Sequence, residues 1–137
     1  MSLKNVNTVL TTACALFVLY LGLSFILAPE ASTQGVGLPT PVGNGDGFLI
    51  MKGTRELAMG LVIGILLVTG HRRALGWVLL MEAVAPFGDM INVLAHHGST
   101  AAAFGIHGLT SALIAVTGLL TLRETGKPHR PLAARRA

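Results

Sequence analysis

Residues 101–122 read AAAFGIHGLTSALIAVTGLLTL, a run of 22 positions without Asp, Glu, Lys or Arg. At a rise of about 1.5 Å per residue, a helix of that length reaches about 33 Å, enough to cross the hydrocarbon core of a bilayer. Three further stretches are mostly apolar over a similar length: Val9 to Leu27, Phe48 to Val68 and Ala74 to Ala95. In none of them are the apolar residues confined to one helical face, as they are in helices that lie on a water-soluble core. The sequence predicts an all-α protein, a bundle of four transmembrane helices.

Composition agrees. Of 137 residues, 52% are hydrophobic and 12% are charged, against about a quarter charged in a soluble domain. Short polar joints separate the apolar blocks, and no long polar stretch suggests a second unit, so residues 1–137 are expected to form a single integral membrane domain. The single cysteine, Cys14, lies in an apolar run, which excludes a disulfide framework and a dithiol redox reaction.

Positive charge is distributed unevenly. Lys4 precedes the first apolar block, Arg72 and Arg73 join the second to the third, and Arg123, Lys127, Arg130, Arg135 and Arg136 follow the fourth, whereas the other two joints hold neither Lys nor Arg. The positive-inside rule then places both termini in the cytoplasm of a multi-pass cell-membrane protein. The basic tail at 123–137 is read as an orientation signal that touches anionic membrane lipid, not as a nucleic-acid site. Pro29 directly after Ala28, and the lack of an Ala-x-Ala site, argue against cleavage of the first block as a signal peptide. The joint from Ala28 to Gly47 contains Pro29, Pro39, Pro41 and five glycines, the composition of an irregular flap that can cover a site. Within it Asn44-Gly45-Asp46-Gly47 lacks the remaining ligands of a calcium loop, and Asp46 is expected to cap the second helix.

Polar residues inside the spans are the candidates for chemistry, because ionisable groups in hydrocarbon cost roughly 2.5 kcal/mol or more each and mark sites or pathways. Helix 1 carries Tyr20 and Ser24; helix 2 Lys52, Arg55 and Glu56; helix 3 Glu82, Asp89 and Asn92; helix 4 His107, Thr110 and Ser111. Counted from the outer helix ends, Tyr20, Arg55, Glu56, Asp89 and His107 all fall roughly 9–12 Å deep. One polar layer thus draws on every helix. Glu82 and Asp89, seven apart, share a seam that His96 extends, with Pro86 freeing a carbonyl near Glu82. Lys52 and Glu56 share a face, as do His107 and Ser111. Gly53, Gly60 and Gly64, and Gly105 and Gly108 beside His107, suit close helix contact. Lys52 and Asn92 are nearer the interface, and His96 and His97 are expected to be solvated. The histidines and carboxylates form no tight ligand motif, so no metal is expected.

The run Gly45-Asp46-Gly47-Phe48, then Lys52-Gly53-Thr54-Arg55-Glu56-Leu57 with Gly60, Arg73-Ala74-Leu75-Gly76, Gly88-Asp89 and His107-Gly108, resembles a family of small four-helix membrane proteins classed by an uncharacterised domain. More distantly it resembles the DoxX-like group. The resemblance covers Gly45 to Gly108 and implies the fold, with no reaction attached. Small membrane cyclases of terpenoid pathways are similar in style, with acidic residues projecting into a helical bundle.

The polar layer admits two readings. It is either a buried ion-pair layer, Arg55 with Asp89 or Glu56, that fixes helix register, or a ligand site beneath the flap. On the second, the protein is an enzyme that isomerises, cyclises or opens an epoxide of a lipophilic small molecule by acid–base chemistry, without a dissociable cofactor. Burial favours the neutral form of a carboxyl and a nearby guanidinium the ionised form, so Asp89 and Glu56 would acquire different roles. His107 would relay a proton, Tyr20 would orient an oxygen, and Arg55 would anchor a carboxylate or an oxyanion, with Glu82 and Asn92 as further substrate-binding candidates. The alternatives are a proton-coupled transporter, weakened by the lack of a carboxylate in helix 1, and a non-catalytic accessory subunit. Self-association stays open.

Overall fold

A computed structural model describes residues 3–32, 35–38 and 45–126, and these contain helices and no strand. Lys127, Arg130, Arg135 and Arg136 of the basic tail, and Pro39, Pro41, Gly43 and Asn44 of the flap, lie outside the described residues. Helix α1 spans Leu3–Leu27 and is followed by a single turn, α2, Pro29–Ser32. Pro29 suits the first position of that turn, where its missing N–H costs nothing. Helix α3 covers Gly45–Val68. Because it starts at Gly45, Asp46 sits inside its first turn, where its charge faces the helix dipole, and does not cap it. Gly70, at φ +76°, takes the chain through a tight joint into α4, Arg72–Glu82, and α5, Val84–Ala95.

The expected third helix is therefore one rod interrupted at Ala83. Pro86 cannot donate to the carbonyl of Glu82, four residues earlier. At the neighbouring position, Ser111 Oγ donates to the Ala83 carbonyl at 2.8 Å. The fourth expected helix is likewise composite. A turn at Thr100–Ala102, α6, passes into a π-helical segment, Ala103–Gly108, and then into α7, Leu109–Thr125. Ser99 caps its start, its Oγ accepting from the Ala102 N–H at 3.2 Å.

Two helix pairs form the bundle, each brought together by facing glycines. A Cβ on Gly53 of α3 would stand 2.7 Å from the Gly22 carbonyl oxygen of α1, and one on Gly118 of α7 would stand 3.0 Å from the Gly76 oxygen of α4. Backbones approach this closely only where no side chain intervenes. Ala15, Ile63, Leu75, Leu79, Ala83 and Ile114 fill the middle of the bundle and join the pairs. At the end carrying the α3–α4 joint, called inner only after the positive-inside expectation, Arg72 and Asn7 converge on Glu124. Arg72 Nη2 and Asn7 Nδ2 each lie 2.9 Å from Glu124 Oε2, and Asn7 also donates to the Leu120 carbonyl at 3.0 Å.

Among the described residues three rods are long and apolar enough to cross a membrane: Leu3–Leu27, Arg72–Ala95 and Thr100–Thr125, with mean hydropathy 2.2, 1.6 and 1.7. Helix α3 matches them in length but carries Asp46, Lys52, Arg55 and Glu56. Large apolar side chains such as Leu16, Leu61, Trp77, Met81, Leu113 and Leu119 stand more than half exposed around the outside. In water that surface would be costly; against acyl chains it is solvated.

Candidate functional site

In the outer half of the bundle the two helix pairs separate around a cavity of about 400 Å³. One face of α1, with Val18, Leu21 and Phe25, forms an apolar wall, and Lys52, Glu56, Glu82, Asp89, His107 and Thr110 converge from the other helices. Residues 28–32 and the described part of the flap, 35–38, lie over it, Gly35 and Val36 lining its end. Bonds at Val36 and Gly37 tie this strap to the rest of the bundle: Ser99 N–H donates to the Gly37 carbonyl at 2.9 Å, and His107 Nε2 donates to the Val36 carbonyl at 3.0 Å.

Lys52 organises the charges. Its Nζ stands 2.9 Å from Asp89 Oδ2 and 3.6 Å from Glu56 Oε1, and 5.8 Å from the centre of the Phe25 ring. Asp89 Oδ2 in turn lies 3.9 Å from His107 Nδ1. A carbonyl can only accept, so the Val36 contact fixes the Nε2 proton of His107. The nitrogen left to take or give a proton is Nδ1, which faces Asp89. The π-helical segment delivers His107 here at 8% exposure; such segments carry an extra residue per turn and occur often at functional sites.

Of the residues singled out from sequence, Glu56, Asp89 and His107 meet at the cavity, Glu82 and Tyr20 also line it, and Arg55 and Asn92 do not. Arg55 is exposed, and the ion pair expected of it is made by Lys52. The reason is rotational. Gly53 marks the face of α3 that touches α1; at about 100° per residue Lys52 and Glu56 fall about 100° and 60° to one side of it, and Arg55 about 200° away. That glycine was the signal by which Lys52 could have been chosen. Asn92 is exposed, and its carbonyl accepts from His96. Ser111 is spent on the Ala83 carbonyl. Glu82 and the Tyr20 hydroxyl make no hydrogen bond or ion pair with the described residues, leaving both available to a ligand. Among the described residues no cluster of His, Cys, Asp or Glu is placed to hold a metal ion.

Apolar helices around a largely apolar cavity, with a few charged and polar side chains on its wall, define a helical bundle of membrane type. Within that class the chain belongs to the family of a domain of unknown function, DUF4267, whose model matches residues 15–121. That span runs from the middle of α1 to the last turns of α7 and so contains every cavity-lining residue named above. No curated protein and no solved structure matches the chain.

Proposed function

We propose that this protein is a membrane-embedded acid–base enzyme acting on a lipophilic small molecule, by isomerisation, cyclisation or epoxide opening. The observation that carries the reading is the Asp89–His107 pair on the wall of a largely apolar cavity, with His107 Nε2 committed to Val36 and Nδ1 turned towards Asp89. Lys52 holds Asp89 Oδ2 and leaves Oδ1 for a substrate. His107 Nδ1 stores the proton that Asp89 gives or takes. In the epoxide version one carboxyl protonates the ring oxygen as its C–O bond breaks. The other takes a proton from the water that adds to the carbon, so the product is the diol and the enzyme regains its protons through His107. Glu82 and Tyr20 are placed to bind the oxygen-bearing end of the substrate. The apolar plug of Ala15, Ile63, Leu75, Leu79, Ala83 and Ile114 lies between this layer and the inner Arg72–Glu124 cluster, which favours chemistry over proton-coupled transport.

The same reading takes α3 as a fourth crossing of the cell membrane, its charges turned to the cavity or towards the interface, with both termini and the α3–α4 joint in the cytoplasm. The distant DoxX-like likeness belongs to it as a statement about architecture. The test is to incubate purified protein in lipid with extracts of lipophilic metabolites and follow substrate loss and product by mass spectrometry. A product formed by the wild type and not by Asp89→Asn supports it. A ligand recovered unchanged from both would show a binding protein.

A further inference from the structure

The outer half of the bundle has two lateral seams, because α1 with α3 forms one packed pair and α5 with the π-helical segment belongs to the other. The seam between α3 and α5 is bridged by Lys52 and Asp89 at 2.9 Å. The end is covered by the strap, fastened at Val36 and Gly37. The seam between α1 and the π-helical segment has no such fastening: no hydrogen bond or ion pair of Phe17 to Leu27 reaches α5 or that segment. Its rim consists of Phe17, Tyr20 and Ile106, which line the cavity and yet stand 41%, 65% and 44% exposed. Counted from the outer helix ends, Tyr20 and Ile106 lie roughly 10 Å in, at the level of Asp89 and among acyl chains, not headgroups.

We infer that this seam is a lateral portal through which the cavity takes a single-chain amphiphile from the bilayer. The head lies against Asp89 and His107, and the tail runs out between Phe17, Tyr20 and Ile106 into the acyl layer. The inference rests on the reading of the cavity as a substrate site and adds the class of substrate and its route. A ligand arriving from water would have to break the Val36 and Gly37 bonds of the strap, whereas one arriving from lipid displaces only lipid from an apolar rim. The Tyr20 hydroxyl, without a partner in the described residues, stands where the head passes, and an unpaired phenol in hydrocarbon is stabilised by the oxygen or nitrogen of such a head.

The portal can be tested by cysteine chemistry in liposomes on a Cys14→Ser background. Thr110→Cys places a thiol on the cavity wall, and Leu113→Cys places one on the outer face of the same helix, where Leu113 is 55% exposed. A bilayer-dissolved pyrenyl maleimide is expected to label both, and a sulfonated, impermeant maleimide neither. Ile106→Trp should slow labelling of Thr110→Cys at least fivefold and leave Leu113→Cys unchanged. Phe17→Trp, on the opposite rim, provides the same test should Ile106→Trp not fold. Hexadecanol in the bilayer should protect Thr110→Cys more than hexanol at equal mole fraction. Rapid labelling of Thr110→Cys by the sulfonated reagent, indifference to both tryptophans, equal protection by the two alcohols, or a thiol reactive only after unfolding would each overturn the portal. None of these readouts depends on turnover, so a portal that passes them beside an inactive Asp89 site would sink the enzyme reading alone.

Discussion

Asp89 touches a lysine and faces a histidine at once, and each contact predicts a different consequence of its removal. Asp89→Asn keeps the volume and most of the hydrogen-bonding capacity but cannot exchange a proton. Conversion of a substrate should therefore fall about 10²–10⁴-fold while ligand binding persists. His107→Gln should lose less, because water can replace a relay. Equal rates for wild type and both variants would make the layer a packing feature. Lys52→Met leaves two carboxyls without their cation and should cost about 1–3 kcal/mol; Arg55→Leu, at an exposed position, should change thermal stability much less. Reversal of that order would return the ion pair to Arg55. The charged residues of this site were visible in the sequence as a layer at one depth, but depth along a helix does not give rotation about it. The contact of Gly53 with Gly22 sets that rotation, and it depends on a second helix far away in the sequence.

Helices were more legible than their irregularities. The apolar runs located every rod, yet α1 begins at Leu3, several residues before the run that starts at Val9. Its first turns carry Lys4, Asn7 and Thr8, polar residues that hydropathy discounts. Asn7 and Thr11 are nonetheless fully buried against other helices. Pro86 was legible as a freed carbonyl in a continuous third helix and not as the interruption at Ala83, and the π-helical turn before α7 left no pattern in the sequence, because one extra residue per turn does not alter composition. The close contact expected of Gly53, Gly60 and Gly64 holds for the first two and not for Gly64, so the structure separates α3 positions that tolerate a side chain from those that do not. Gly53→Val would push a branched carbon into the Gly22 carbonyl and should lower the melting temperature sharply. Gly64 has nothing within 4 Å of its would-be Cβ, so Gly64→Ala should be neutral or gain about 0.5–1 kcal/mol from helix propensity. Thermal unfolding in one detergent compares the two directly, and equal losses would show that α1 and α3 do not meet through this face.

At the scale of the whole molecule the two ends differ. The outer half contains a cavity and a strap, and the inner half holds the buried pair of Arg72 and Glu124, whose side chains are only 13% and 14% exposed. Breaking that pair by Arg72→Leu strands a carboxylate and should cost about 3–5 kcal/mol, more than any loss at the cavity, where a ligand must enter. A stability ranking with Lys52→Met below Arg72→Leu would contradict this division. Charge asymmetry further predicts that impermeant reagents added to intact cells label cysteines placed at 35–38 but reach 70–73 only after permeabilisation. The opposite pattern would invert the protein, and labelling of both from one side would remove α3 from the membrane.

The inner cluster also bears on how the chain is made. Asn7 finds its partners at Leu120 and Glu124, 113 and 117 residues later. At roughly 5–20 residues per second of synthesis, the first helix waits about 6–23 s for them. Over that interval its side-chain amide lacks both of those partners. A polypeptide cut short before Leu120 never supplies them, so an unfinished product carries at its first helix an amide without the partners it has in the complete bundle. Maturation of the protein is in this sense timed by its last helix.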